Sequence, residues 1–149
     1  MHRRENHHNI QQWFRELDSL ALTHSDYLFT LPIHPNPNVK KHIVELKHIT
    51  VVDPMPHAAL LDYLCNCSYV ITDSGGIQEE ASFYGKRVLV CRKATERPAS
   101  NQILVAEPSL LGSLFDEQLE IPLINKECPF GVGDSSERIY SIMKEMNIL

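Results

Sequence analysis

Ser74, Gly75, Gly76 and Glu80 are the residues whose types and spacing best suit binding chemistry in this sequence. They lie in the stretch from Tyr69 to Ala81, which opens on the β-branched and aromatic run Tyr69-Val70-Ile71-Thr72. Such a run reads as a buried strand. A small polar turn and the two glycines follow. Ile77, Ala81 and Tyr84 then recur at near-helical spacing, with Glu79 and Glu80 close to the helix start. Glycine lets the backbone approach a ligand with no Cβ in the way. The unpaired N–H groups and positive end of the following helix favour an anion there. Ser74 adds a hydroxyl donor. Glu80 is placed to accept from a sugar or ribose hydroxyl, as acidic residues do in dinucleotide sites. A packed, inert glycine turn between a strand and a helix has the same pattern, so spacing alone leaves both readings open.

Other reactive side chains are less organised. Cys65 and Cys67 stand two apart on an expected helix and suit no zinc pair. With Cys91 and Cys128 they read as buried thiols of a reducing compartment. His7, His8, His24, His42 and His48 share no ligand spacing and read as surface residues. Asp73, Glu79 and Glu96 are acids that nothing marks as poised bases.

The elements that must position the Ser74 group alternate along the chain. Ile10, Trp13, Phe14, Leu17, Leu20 and Ala21 fall on one helical face, with Trp13 and Phe14 expected in the core. The run from Tyr27 to Ile33 reads as a buried strand, with His34 just past its end, where α/β folds place ligand contacts. Pro37 suits the first turn of a helix carrying Val39, Ile43 and Leu46. Ile49 to Val52 is a short strand. Pro56 opens a helix with Ala59, Leu60, Tyr63 and Leu64 facing inward. Gly85 ends the helix after the glycine pair. Arg87 to Cys91 is the next strand, followed by a polar loop from Arg92 to Asn101, a strand at Ile103 to Val105 and a helix from Leu110 to Glu117. Asp134 and Glu137 fit a capping box ahead of a last amphipathic helix through Ile139, Ile142, Met143 and Met146. This alternation predicts an α/β fold with a parallel sheet, right-handed crossovers and flanking helices, as one domain over residues 1–149.

Composition sets bounds on function. The chain of 149 residues can build one real core, and 43% hydrophobic with 22% charged residues is ordinary for a soluble domain. A formal net charge of −5 argues against a general nucleic-acid binder. No apolar run approaches a membrane span and no signal-peptide pattern opens the chain, so a cytoplasmic protein without membrane partners is expected.

Four strings then carry a resemblance: Asp73-Ser74-Gly75-Gly76-Ile77-Gln78-Glu79-Glu80, His2-Arg3-Arg4-Glu5-Asn6, His34-Pro35-Asn36-Pro37-Asn38 and Thr95-Glu96-Arg97-Pro98. In this order and spacing they resemble the C-terminal half of the non-hydrolysing UDP-N-acetylglucosamine 2-epimerases, from His2 to the last helix. The resemblance implies a Rossmann-like, UDP-binding domain, the second half of a B-type glycosyltransferase fold. It implies an isomerase of nucleotide-sugar metabolism and polysaccharide biosynthesis that interconverts UDP-N-acetylglucosamine and UDP-N-acetylmannosamine. UDP is eliminated to give a glycal and re-added with the opposite configuration at C2, with neither NAD nor a metal required. Ser74, Gly75 and Gly76 would hold the pyrophosphate, Glu80 the ribose hydroxyls, and the Leu60 backbone the uracil. His2 matches a catalytic-site residue. Arg3, Glu5 and His34 match positions around a regulatory UDP-N-acetylglucosamine site, and Arg97 is placed to face a phosphate.

Two departures from the family's pattern are visible. The apolar strand that precedes the His2 string in the family is absent here, and His8 replaces a common glycine, so the turn after Asn6 is expected to differ. The family's catalytic carboxylates lie in the half not represented, so an N-terminal epimerase domain or a homo-oligomer is the expected partner, and a chain without those acids is expected to be slow or inactive. A non-catalytic UDP-sugar-binding module and a structural remnant of the same fold are the alternatives. A glycosyltransferase C-terminal domain shares the fold, but the gapless Asp73–Glu80 string speaks against it.

Overall fold

The computed structural model describes residues 3–121 and 128–148. His2 lies outside the described residues. The amphipathic run after Asn9 forms helix α1, Ile10–Thr23, and its apolar face drives Trp13 and Phe14 to full burial. Strand β1, Thr30–Pro32, pairs in parallel with β2, Thr50–Val52. The expected strand from Tyr27 is shorter because its partner offers only three residues, and the Tyr27 amide turns back onto the His24 carbonyl. The helix expected after Pro37 is broken. Asn36 caps the short α2, Pro37–Lys40, and a 3-10 turn at Ile43–Glu45 follows once His42 leaves helical geometry.

Helix α3, His57–Asn66, starts behind Pro56. It buries Leu64, with Leu60 and Leu61 partly covered, whereas Tyr63 stays exposed. Strand β3, Tyr69–Thr72, helix α4, Gly75–Phe83, and strand β4, Arg87–Val90, form a compact unit that β5, Gln102–Leu104, extends. All pairings in the β3-β4-β5 sheet are parallel. Gly85 ends α4 with φ +64°, a left-handed conformation that glycine adopts without a Cβ clash. A 3-10 turn at Pro108–Leu110 leads into α5, Leu111–Glu120, which runs past the expected end at Glu117.

The chain therefore forms two parallel sheets rather than one continuous sheet among the described residues. Side chains join them. Phe115 of α5 packs against Phe29, Tyr27 and Tyr69, with ring centroids 5.1–6.1 Å apart. One core holds Ile10, Trp13, Phe14, Val39, Leu89 and Phe115; a second holds Leu64, Val70, Ala81, Val88 and Val90 under α3 and α4. Arg87, itself buried, donates to the Tyr69 hydroxyl at 2.8 Å and to the Gln118 and Ile121 carbonyls, so a cation closes the C-terminal end of α5.

Three expectations need correction. Asp134 stands at the N-cap of α6, Ser135–Glu145, but makes no side-chain cap bond, because its φ −93°, ψ 9° is not the extended geometry that aims a cap. Only Cys91 is a buried thiol; Cys65 is exposed. His24 is not a surface residue, since its ring lies 5.0 Å from Phe115 and its Nε2 3.0 Å from Asp116. No helix among the described residues is long and apolar enough to cross a membrane.

One carboxylate fastens α1 to the segment entering β2. Asp18 Oδ1 accepts from the Lys47 amide at 2.5 Å and the His48 amide at 2.7 Å, and Oδ2 lies 2.9 Å from His48 Nδ1. Burial works to raise the Asp18 pKa, but the bonds from His48 and Lys47 outweigh it and hold the carboxyl below its usual value. A depressed folded-state pKa gives stability that is present above the unfolded value and is lost as pH falls through the folded one. Asp18→Ala is expected to cost about 2 kcal/mol in urea unfolding at neutral pH. The gap to wild type is expected to start narrowing below about pH 4, where the unfolded state begins to bind the proton, and to close as pH falls through the lower folded-state value.

Candidate functional site

The C-terminal ends of β3 and β4 point the same way, and the chain builds its polar cluster there. Asp73 follows β3 directly and is fully buried. Its Oδ2 accepts from the Arg3 amide at 2.8 Å and from Asn6 Nδ2 at 3.2 Å. The same Asn6 nitrogen donates to the Cys91 carbonyl at 3.0 Å, just past β4. The 3-10 turn Arg4–Asn6 is thereby pinned across two strand ends. Burial, with the Asp73 carboxylate adding to it, pushes the Cys91 thiol pKa far up, so that sulfur is no nucleophile.

Ser74 is the N-cap of α4. Its amide donates to Thr72 Oγ1 at 3.0 Å, its backbone is extended, and its hydroxyl makes no capping bond to its own helix. The first helical bond runs from the Gln78 amide to the Ser74 carbonyl. The Gly75, Gly76 and Ile77 amides therefore precede the helical ladder, where a helix meets an anion. A Cβ on Gly76 would meet nothing within 4 Å. A Cβ on Gly75 would lie 2.5 Å from Arg97 Nη1 and 2.9 Å from Arg97 Cζ, so the glycine admits a guanidinium to the helix end.

Arg97 is held there by carboxylates. Its Nε pairs with Glu79 and its Nη1 with Glu96. The Glu79 hydrogen bond raises the Arg97 pKa above its usual value. The ion pairs continue from Glu96 to Arg92 at 3.0 Å and from Arg92 to Glu5 at 2.9 Å. Beneath them lies Gln78, fully buried, whose Oε1 accepts from Thr95 Oγ1 at 2.6 Å. Thr95 Oγ1 in turn accepts from the Arg97 amide at 3.1 Å. Ser82, one turn on, donates to Asn101 Oδ1 and accepts from Gln102 Nε2. The 92–101 loop is thus fixed to the inner face of α4 by a half-buried polar network.

Arg97 lies beside Ser74, Gly75 and Gly76, and Glu80 lies one turn further along α4. Its Oε1 is 2.8 Å from His57 Nε2, at the start of α3. Arg3 and Glu5 belong to the pinned turn beside the cluster. His34 stands past β1, on the other sheet, and its Nδ1 accepts from the Asn36 amide at 3.2 Å. Leu60 lies in the first turn of α3, where its amide donates to the Pro56 carbonyl at 3.1 Å and its side chain packs on the second core. Among the described residues no cluster of three or more His, Cys, Asp or Glu could hold a metal ion.

Sequence reasoning missed Asn6, Gln78, Thr95 and His57 as positioning groups. Gln78 and Ser82 did carry a signal. They are polar residues four apart on the face that also buries Ala81.

The family model described as UDP-N-acetylglucosamine 2-epimerase matches residues 1–144. The UDP-N-acetylglucosamine 2-epimerase of Neisseria meningitidis serogroup A is 34% identical over 155 aligned residues, covering 93% of this chain and 41% of that protein. The crystal structure of the N. meningitidis enzyme bound to UDP-GlcNAc superposes with a TM-score of 0.88 at 33% identity, over 97% of this chain and 43% of that one. The Methanocaldococcus jannaschii enzyme in complex with UDP-GlcNAc and UDP gives 0.78 at 29% identity, over 97% and 43%. The chain thus spans about two-fifths of the length of these relatives.

Thr95→Val removes the donor to a buried glutamine oxygen and the acceptor of the Arg97 amide. It is expected to cost about 1–3 kcal/mol in urea unfolding. Limited proteolysis is expected to cut the 92–101 loop faster than in wild type.

Proposed function

The chain belongs to the UDP-N-acetylglucosamine 2-epimerase family, and we propose that it is the nucleotide-binding C-terminal part of such an enzyme, holding UDP at the end of β3 while the sugar is epimerised. The observation that carries this reading is the set of Gly75, Gly76 and Ile77 amides lying ahead of the first bond of α4, with the uncommitted Ser74 hydroxyl and the Arg97 guanidinium beside them. Donors fixed before the ligand arrives need no reorganisation when charge develops on a leaving pyrophosphate. A helix N-terminus contributes about 0.3–2 kcal/mol to a bound anion.

The roles divide by chemistry. Ser74 and the two glycine amides bind the phosphate oxygens. Arg97, poised between Glu79 and Glu96, offsets the charge that grows as UDP departs. Glu80 accepts from the ribose. Arg3 and Glu5, on the turn pinned by Asp73, and His34 past β1 are assigned to a regulatory UDP-N-acetylglucosamine site. His2 matches a catalytic-site residue of the family and is assigned the acid–base or charge-carrying role. Removal of the C2 proton and retention of the glycal need a closed cleft and a base, which fall to the three-fifths of the relatives' length that this chain does not span.

Calorimetry with UDP tests the reading. Wild type is expected to bind, and Ser74→Ala and Glu80→Ala are each expected to weaken binding roughly tenfold. Folded wild type without measurable heat at millimolar UDP would overturn it. Conversion of UDP-N-acetylglucosamine is expected only when a segment supplying the remaining length is added.

A further inference from the structure

Glu80 uses its carboxylate unevenly. Oε1 lies 2.8 Å from His57 Nε2. Oε2 is buried and has no hydrogen-bond partner among the described residues. A buried acceptor left unmet is unfavourable, and a ligand hydroxyl would satisfy it. The adjacent Glu79 is already committed to Arg97, so Glu80 is the member of this acidic pair left for a ligand.

His57 comes to this contact by way of the fold. It is the first residue of α3, directly after Pro56, and α3 packs beside α4. Its side chain is 65% exposed, against 29% for Glu80, so packing does not dictate where the ring points. An ionised carboxylate only accepts, so the proton in this contact sits on Nε2. A donor at Oε1 fixes the rotation of the carboxylate and thereby the direction of Oε2.

We propose that His57 is a positioning residue of the nucleotide site: its Nε2–H holds Glu80 Oε1 so that Oε2 is left to accept from a ribose hydroxyl of a bound nucleoside diphosphate. This rests on the nucleotide reading above and deepens it, because the hydroxyl preference of the site then depends on a residue of a different helix. Without His57 the carboxylate swings toward water, and the site keeps its phosphate grip while losing discrimination at the ribose.

Calorimetry on the full chain compares UDP with its analogue lacking both ribose hydroxyls. The proteins are wild type, His57→Ala, His57→Gln, Glu80→Ala and the double variant His57→Ala/Glu80→Ala. His57→Ala is expected to weaken UDP about tenfold, the loss of one charge-assisted hydrogen bond, and to leave the analogue unchanged. His57→Gln, whose amide nitrogen reaches the same place, is expected to recover UDP binding. The double variant is expected to bind UDP no more weakly than Glu80→Ala. A loss shared equally by UDP and analogue, a His57→Ala variant that binds as wild type, or a failure of His57→Gln to recover binding would overturn the proposal and leave the nucleotide reading standing. Absence of UDP binding by wild type would overturn both.

Discussion

A carboxylate buried without partners is among the costliest groups a fold can carry, and Asp73 is fully buried at the end of β3. At Oδ2 the fold meets that demand with the Arg3 amide and the Asn6 side chain. The consequence reaches beyond one hydrogen bond. Asn6 also binds the Cys91 carbonyl, so satisfying Asp73 draws the start of the chain across the ends of two central strands. Ser74, the next residue, inherits a fixed position. An anion site at a helix end depends on donors that do not move, and here the strand end, the turn and the helix start are set by one group.

The second constraint acts from the opposite side of α4. Gln78 is buried and its Oε1 accepts from Thr95, while Arg97 bridges Glu79 and Glu96 above it. Exposed ion pairs contribute little to stability, so the run from Glu5 through Arg92, Glu96 and Arg97 to Glu79 matters for placement more than for folding energy. The buried Gln78–Thr95 bond is the costly one to break. Together these contacts explain why two strings separated in sequence, around Ser74 and Thr95, look like parts of one family signature. They are physically in contact.

Much of this was legible in the residues. The strand-turn-helix at Ser74 follows from a β-branched run, two glycines and a helical period, each a local signal. Burial of Trp13 and Phe14 follows from amphipathic spacing. Gly85 marked the end of its helix for the steric reason that it adopts positive φ. What escaped depends on contacts between distant segments. Nothing near Asn6 says that it reaches Cys91, 85 positions away. The division into two sheets depends on strand partners, and pairing across a sheet leaves no trace in the local period. The Asp134 cap failed because residue type allows a cap whereas backbone geometry decides it.

In the proposed reading the first turn of α4 is a preformed anion site that receives UDP. Amide NMR of the 149-residue chain titrated with UDP tests it most directly. The largest shifts are expected on the Gly75, Gly76 and Ile77 amides, followed by the Arg97 side chain. Saturable binding with its largest shifts elsewhere, leaving those three amides unmoved, would contradict it.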